Sequence, residues 1–160
     1  MRKFALTALA SAAFLTACGA GAPKTEAELL LGEWDQVAPV TIMQDGQTVM
    51  ISEGAVKYDA DGTGEGIALM TISSLPVEIN AYSVKADTTY TLTDSILTEA
   101  MVNATVTAQS DSEQAAQLAE MIQAGMVQAP ASSSTIVSID ANTLVLRENE
   151  SGAEITYKRD

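Results

Sequence analysis

The densest grouping of residues that could do chemistry is Asp59-Ala60-Asp61-Gly62-Thr63-Gly64-Glu65, where carboxylates alternate with small residues. Ca²⁺ takes about six to eight oxygen ligands, and a loop of this kind could wrap several of them about one ion. The EF-hand register fails, however. With Asp59 in its first place the fifth falls on Thr63, and the twelfth, which needs a bidentate glutamate, falls on Met70. A solvated hairpin turn is the expectation for Asp59, Asp61 and Glu65, with no metal. Glu26, Glu28 and Glu33 likewise read as a solvated face. The chain holds no histidine and one cysteine, Cys18, so Cys/His zinc sites and His-dependent triads are excluded. No serine stands in a nucleophile-elbow context and no acid pair has a recognisable frame. The chain is therefore expected to be no enzyme and to carry no cofactor.

That leaves the Cys18 thiol, whose use is decided by what precedes it. Arg2-Lys3 is followed by an apolar run from Phe4 to Leu15, well short of the roughly 18 to 20 residues needed to span a hydrocarbon core. A basic flank, a short apolar run and small residues near its end make an export signal. Leu15-Thr16-Ala17-Cys18 resembles the lipobox of bacterial lipoproteins. The resemblance implies a diacylglyceryl group on the Cys18 sulfur, cleavage after Ala17, and acylation of the new amino terminus, typically by palmitate. Each buried methylene adds roughly 0.8 kcal/mol and stable anchoring takes more than one chain, so a multiply acylated Cys18 would hold the protein on a membrane. Gly19 occupies the place where an aspartate favours inner-membrane retention in that family, which implies the outer membrane, facing the periplasm. Residues 1–17 are thus expected to form a signal helix and residues 18–29 a lipidated cysteine and tether, with a short amphipathic turn from Thr25 to Leu31 leading into a folded domain from 30 to 160.

Loss of residues 1–17 removes Arg2 and Lys3 and no acid, taking the formal net charge from −13 to −15. Such a field repels nucleic acid and anionic head groups and favours a basic protein partner. Both phenylalanines, Phe4 and Phe14, lie in the same segment. The core must then come from aliphatic residues, methionines, Trp34 and four tyrosines, too few rings for a sugar or nucleobase groove.

The elements that would position any site are mostly strands. Val40 to Gln44 and Gln47 to Ser52 flank Asp45-Gly46, and Ala55 to Asp59 and Gly64 to Ile72 flank Asp61-Gly62; aspartate-glycine between alternating runs is a strong hairpin signal. Val77 to Lys85, Thr88 to Thr93 and Ile96 to Gln109 continue the pattern. In the last of these, Ile96, Ala100, Val102, Ala104, Val106 and Ala108 are expected on the buried face and Glu99, Asn103, Thr105 and Thr107 on the solvated one. One helix interrupts at about 111–127, opened by a capping-box pattern at Ser110-Asp111-Ser112-Glu113 and carrying Leu118, Met121, Ile122 and Met126 at helical spacing. Strands return at Ser134 to Ile139, Thr143 to Glu148 and Ala153 to Lys158. Sequential antiparallel strands hide their edges best by closing, so the fold class is mainly β: a meander barrel, closed or nearly so, with one amphipathic helix.

Leu30-Leu31-Gly32-Glu33-Trp34 resembles the Gly-x-Trp entry of lipocalins. The Asp61-Gly62-Thr63-Gly64 hairpin, Leu144-Val145-Leu146 and Ile155-Thr156-Tyr157-Lys158-Arg159 resemble bacterial lipocalin-like domains found in lipoproteins. The resemblance implies that Trp34 plugs the closed end of the barrel under a basic side chain from the last strand, Arg159, and that the interior takes a small apolar ligand or lipid. Small side chains near Val102 and Val106 suit a cavity, and equally a closely pressed helix; the Met121 and Met126 stripe is expected as core, or else as an adaptable lid. The competing expectation is a non-catalytic structural or interaction module of the envelope whose barrel is filled.

Overall fold

The fold is described by a computed structural model covering residues 23–44 and 46–159. Thr25 caps a short helix, α1 (Glu26–Leu30), which runs directly into β1 (Gly32–Gln36). The meander then continues through β2 (Val40–Gln44), β3 (Gln47–Tyr58), β4 (Thr63–Ile72), β5 (Ala81–Thr93) and β6 (Ile96–Ala108). After α2 (Glu113–Gln128) it resumes with β7 (Ser132–Ile139), β8 (Thr143–Glu148) and β9 (Glu154–Lys158). From β2 to β9 every strand pairs antiparallel with its successor, and β1 pairs with both β3 and β9, which closes the sheet. β1 and β2 take successive stretches of one edge of β3, Gly32–Asp35 against Tyr58–Ala55 and Val40–Gln44 against Ile51–Gln47, so the closed barrel has eight staves.

Residue types explain the strand lengths. Val, Ile, Thr and Tyr suit a pleated, half-buried surface, and they make up 7 of the 13 residues of β5 and 6 of the 13 of β6. β5 and β6 join through Asp94-Ser95, both at positive φ (50° and 63°), as a two-residue hairpin turn with the twist of its strands requires. Between β1 and β2 the chain leaves the barrel wall at Val37-Ala38-Pro39; Pro39 has no N–H to give to a ladder. Opposite this break β3 bulges between Ile51 and Glu53.

Two cores fill the barrel. Leu30, Trp34, Tyr58, Leu97, Ile136, Leu144, Leu146 and Tyr157 pack one end, beside α1. Val49, Ile72, Tyr82, Val84 and Val106 pack the other, against Ala119, Leu118, Ile122 and Met126 of α2. β7 pairs with β6 only from Ile96 to Glu99. Beyond that point α2 packs against β6, and the Gln123 side-chain oxygen accepts the Val106 amide at 3.2 Å.

The structure departs from the sequence expectation in several places. Gln47 to Ser52 and Ala55 to Asp59 are one strand, because Ser52 is absorbed as a bulge rather than ending the pairing. Lys85 and Thr88 likewise lie within one strand, β5, and Val77–Ile79 is a 3₁₀ turn before it. On β6 the register shifts opposite Asp87 and Thr88, so Asp87 faces Asn103 and Thr88 faces Met101, and Val102 is the extra residue. Ala104 and Val106 are buried as expected, but Val102 is 59% exposed, and Leu97 and Glu99 turn inward in place of Ile96 and Ala100. The helix opens at Glu113 behind Ser112, whose side chain makes no cap bond; with Glu113 first in the helix its carboxylate cannot close the expected box. A capping box stands instead at α1, where Thr25 Oγ1 accepts the Glu28 amide (3.2 Å) and Glu28 Oε2 accepts the Thr25 amide (2.8 Å). That helix stands where the short amphipathic turn from Thr25 to Leu31 was expected, and a bond from Ser95 Oγ to Glu26 Oε2 (2.8 Å) ties it to the barrel.

Candidate ligand-binding site

At the α1 end the barrel is stoppered. Trp34 is fully buried, and its indole Nε1 donates to the Leu30 carbonyl at 2.8 Å. Arg159, just past β9, lays its guanidinium over the Trp34 ring with Cζ 3.5 Å from the centroid. Its Nη1 donates to the Leu31 carbonyl (2.8 Å) and its Nη2 to that of Leu29. These are the carbonyls left at the end of α1, and a planar fork of donors suits them. Gly32 makes the approach possible, since its φ is +108° and a Cβ there would stand 3.3 Å from Nη1. Burial holds the Arg159 guanidinium below its ordinary range.

Above this stopper, between the two cores, lies a cavity of about 200 Å³. Its walls are Ile51, Val56, Ala68, Val84 and Ala86, with Met126 of α2 on one side and Tyr157 on another. The space exists because Gly66, Ala68 and Ala86 stand on adjoining strands, Gly66 opposite Ala86 and Ala68 opposite Val84. Small residues on β4 and β5 thus leave the room expected from those of β6, where Ala104 is buried and Val106 packs close to Ala119. The methionine stripe divides: Met126 lines the cavity, while Met121 is 69% exposed.

Within the core at the α1 end the barrel interior is polar at one point. Glu99, turned inward by the Val102 bulge, accepts a hydrogen bond at Oε1 from the Tyr58 hydroxyl (3.2 Å). Tyr58 stacks edge-on against Tyr90, with centroids 5.0 Å apart and planes at 76°. Tyr58 itself lies opposite Gly64, where a Cβ would come within 2.8 Å of Thr88 Oγ1 and 3.0 Å of the Lys57 carbonyl. Burial holds the Glu99 carboxyl above the ordinary glutamate range, with the Tyr58 bond opposing. Burial, then the nearby Glu99 charge, pushes the Tyr157 hydroxyl far up, and the same two causes act on Tyr58. Alternation alone put Glu99 on the solvated face. The available signal was the unbroken apolar run Ala100-Met101-Val102, which no regular alternation accommodates.

A larger concavity, about 690 Å³, lies on the outer face, lined by outward residues of β4 to β6 such as Ile67, Leu69, Lys85 and Thr105 and walled by Val37-Ala38-Pro39. It shares Gln36, Gly54, Ala55, Ile67, Ala68 and Val84 with the inner cavity, so the two lie back to back across a wall of small residues at the β1/β2 break. Gln36 bridges that break, its Nε2 donating to the carbonyls of Ala38 (2.6 Å) and Ile51 (3.1 Å).

The other residues singled out by sequence fall elsewhere. The Asp59 carboxylate pairs with Lys57 Nζ at 3.0 Å, and Asp61 Oδ1 accepts the Thr63 hydroxyl (2.6 Å) and amide (3.0 Å). Glu65 points outward on β4, opposite Lys57. Among the described residues no three such ligands gather at a point. Cys18 and the expected signal helix lie outside the described residues.

No family model matches the sequence, and no curated protein matches it either. Among solved structures the chain is similar to a lipocalin-like protein from Bacteroides uniformis, with 11% identity and a TM-score of 0.45 over 82% of this chain and 99% of that one. It is also similar to a redesigned β-barrel, mFAP1, bound to DFHBI, with 18% identity and a TM-score of 0.36 over 83% of this chain and 97% of that one.

Proposed function

We propose that the chain is a lipid-anchored protein of a bacterial envelope whose barrel binds a small apolar molecule between its two cores. The observation that carries the ligand is the cavity of about 200 Å³ with aliphatic walls. An apolar void of roughly 150 Å³ suffices for benzene, so this one suits a single ring or a short chain rather than a whole lipid. The Val37–Pro39 break, with its outer groove, gives the shortest way in, and Gln36 stands in it. Cys18 supplies the anchor, through the lipobox that Leu15-Thr16-Ala17 completes, and places the barrel on the periplasmic side of the outer membrane.

The outer groove supports a second reading, a non-catalytic interaction module. In its lining Asp35 and Glu53 outnumber Lys85, within a chain of formal net charge −13, which favours a basic partner. One measurement separates the two. The full chain is purified without added apolar ligand, extracted with organic solvent, and the extract identified by mass spectrometry. A stoichiometric small apolar compound is the expected result; an empty, folded protein that also fails to take up an apolar fluorescent probe favours the interaction module.

A further inference from the structure

The barrel closes through β1 and leaves β2 outside the closure. β2 pairs with β3 on one side, and among the described residues no strand meets its other side. Gln44 and Gln47 flank a two-residue hairpin and so form a hydrogen-bonded pair; alternation from there turns the N–H and C=O groups of Thr41 and Met43 to the open side. Among the described residues no backbone group takes them there. Thr41 is exposed, and so is Met43, at 57%.

An open edge is ordinarily blunted by lysine, an inward charge, a bulge or proline. β2, Val40-Thr41-Ile42-Met43-Gln44, has none of these: Pro39 precedes it, and the bulge of β3 at Ser52 lies beyond their pairing. Its surroundings are uncharged as well. Residues 36–44, 46–52 and 66–77 hold no acidic or basic side chain in a chain with 21 acids. The ladder sets Val40–Gln44 beside Gln47–Ile51, and Val49–Ile51 beside Met70–Ile72, so these stretches form one neutral corner of the barrel.

A row of free backbone groups takes an extended strand as its partner, and a bilayer supplies none. Two copies of a chain with formal net charge −13 repel each other over most of their surface and approach closely only where neither is charged. β2 is also complementary to itself. When Ile42 lies on a two-fold axis, Thr41 falls opposite Met43 of the second copy, and these are the residues with free backbone groups; each such pair exchanges two N–H···O bonds. The same register places the second copy's Met43 on the outer face beside Thr41, whose other neighbour is Met50, so the exposed methionines of both chains form one apolar row. We propose that the chain forms a two-fold dimer in which β2 pairs antiparallel with β2 of a second copy, centred on Ile42. This dimer is independent of what the cavity binds.

The test is sedimentation equilibrium of the full chain in mild detergent, followed by cross-linking. A concentration-dependent dimer is expected, about threefold tighter in about 500 mM salt than in about 50 mM, because salt screens the repulsion between two acidic chains. Met43→Glu, at an exposed site, is expected to weaken it about tenfold by adding like charges along the shared edge. In a Cys18→Ser background the introduced thiol is the only one in the chain. Ile42→Cys is then expected to give a disulfide-linked dimer on mild oxidation, since residues facing each other in a non-hydrogen-bonded pair stand about 4.5 Å apart at Cα. Thr41→Cys is expected to give at most about a tenth as much, its copies being diagonal neighbours roughly 7 to 8 Å apart. A monomer under all conditions overturns the proposal and leaves the edge to a strand of another protein. A dimer indifferent to Met43→Glu, or one that cross-links as readily at position 41 as at 42, overturns it by placing the contact elsewhere. The parent and Met43→Glu decide the question even where a cysteine variant fails to fold.

Discussion

Arg159 ties the last strand to the first helix through a flat stack on Trp34 and two carbonyls of the α1 end, Leu29 and Leu31. Lysine carries the same charge but neither the plane nor the fork. Arg159→Lys is therefore expected to destabilise the barrel by about 2 kcal/mol, losing a charged hydrogen bond and most of the stacking, as read from urea unfolding midpoints. Glu99 has the opposite sign. Its carboxyl titrates higher in the folded chain than in the unfolded one, so the folded state holds the proton more tightly in the window between the ordinary glutamate range and the raised value. Stability therefore increases as pH falls through the raised value and levels off below the ordinary one. Glu99→Gln removes the charge and keeps an acceptor for Tyr58. The variant is expected to be more stable than the parent by roughly 1 kcal/mol at pH 8, the scale of a partly desolvated ion, and equal to it at pH 4. Thermal melts at the two pH values decide this, and a gain that persists undiminished at pH 4 contradicts it.

At the scale of elements, β6 shows how far sequence pattern reaches. The meander, its turns and the position of the helix all follow from alternation, aspartate-glycine pairs and helical spacing, because each is written in neighbouring residues. Trp34 and Arg159 were also singled out from sequence, and they do lie in contact, 128 to 130 positions of separation between Arg159 and its carbonyl partners notwithstanding. What alternation cannot carry is a single extra residue. Val102 shifts the pairing by one, and everything on its N-terminal side changes face, so Leu97 and Glu99 point in although their spacing from Val106 points them out. The interior polar group was illegible for that reason, as was the union of the two halves of β3 across Ser52. Deleting Val102 removes only that extra residue: with Met101 joined to Asn103, plain alternation back from Val106 keeps Glu99 and the fully buried Leu97 pointing in. The deletion is therefore expected to cost less than about 1 kcal/mol although it lies within a strand, and Val102→Thr, which keeps the bulge, less than about 0.5 kcal/mol. A loss of about 3 kcal/mol on deletion, the scale of truncating a core leucine, would mean that the bulge itself is needed to seat Leu97. At the β5–β6 turn, Asp94→Asn with Ser95→Gly relieves two non-glycine residues at positive φ and should raise stability by about 1 kcal/mol in the same assay, the lost Ser95 bond to exposed Glu26 subtracting little.

For the molecule as a whole, the arrangement of two cores about one void sets stability against binding. A barrel built only to persist would fill the space, since interiors pack densely and apolar side chains stabilise by burial. Here Ala86 faces Gly66 on one neighbour and Ala104 on the other, so a run of small residues crosses three strands beside the cavity. Leucine at position 86 would extend three more carbons into about 200 Å³ of room. At roughly 0.8 kcal/mol for each buried methylene, less the strain of fitting a fixed shape, a net gain of about 1 kcal/mol is expected. The same leucine would occupy the ligand's place. Ala86→Leu should therefore melt higher than the parent and lose its uptake of toluene or an apolar fluorescent probe, while Thr105→Leu, on the outer face of β6, should do neither. A variant at 86 that is more stable and still binds the probe would move the site out of the barrel and onto the groove. One that is destabilised by more than about 2 kcal/mol would show the interior to be closed to additional side chains, and with it the space for a ligand.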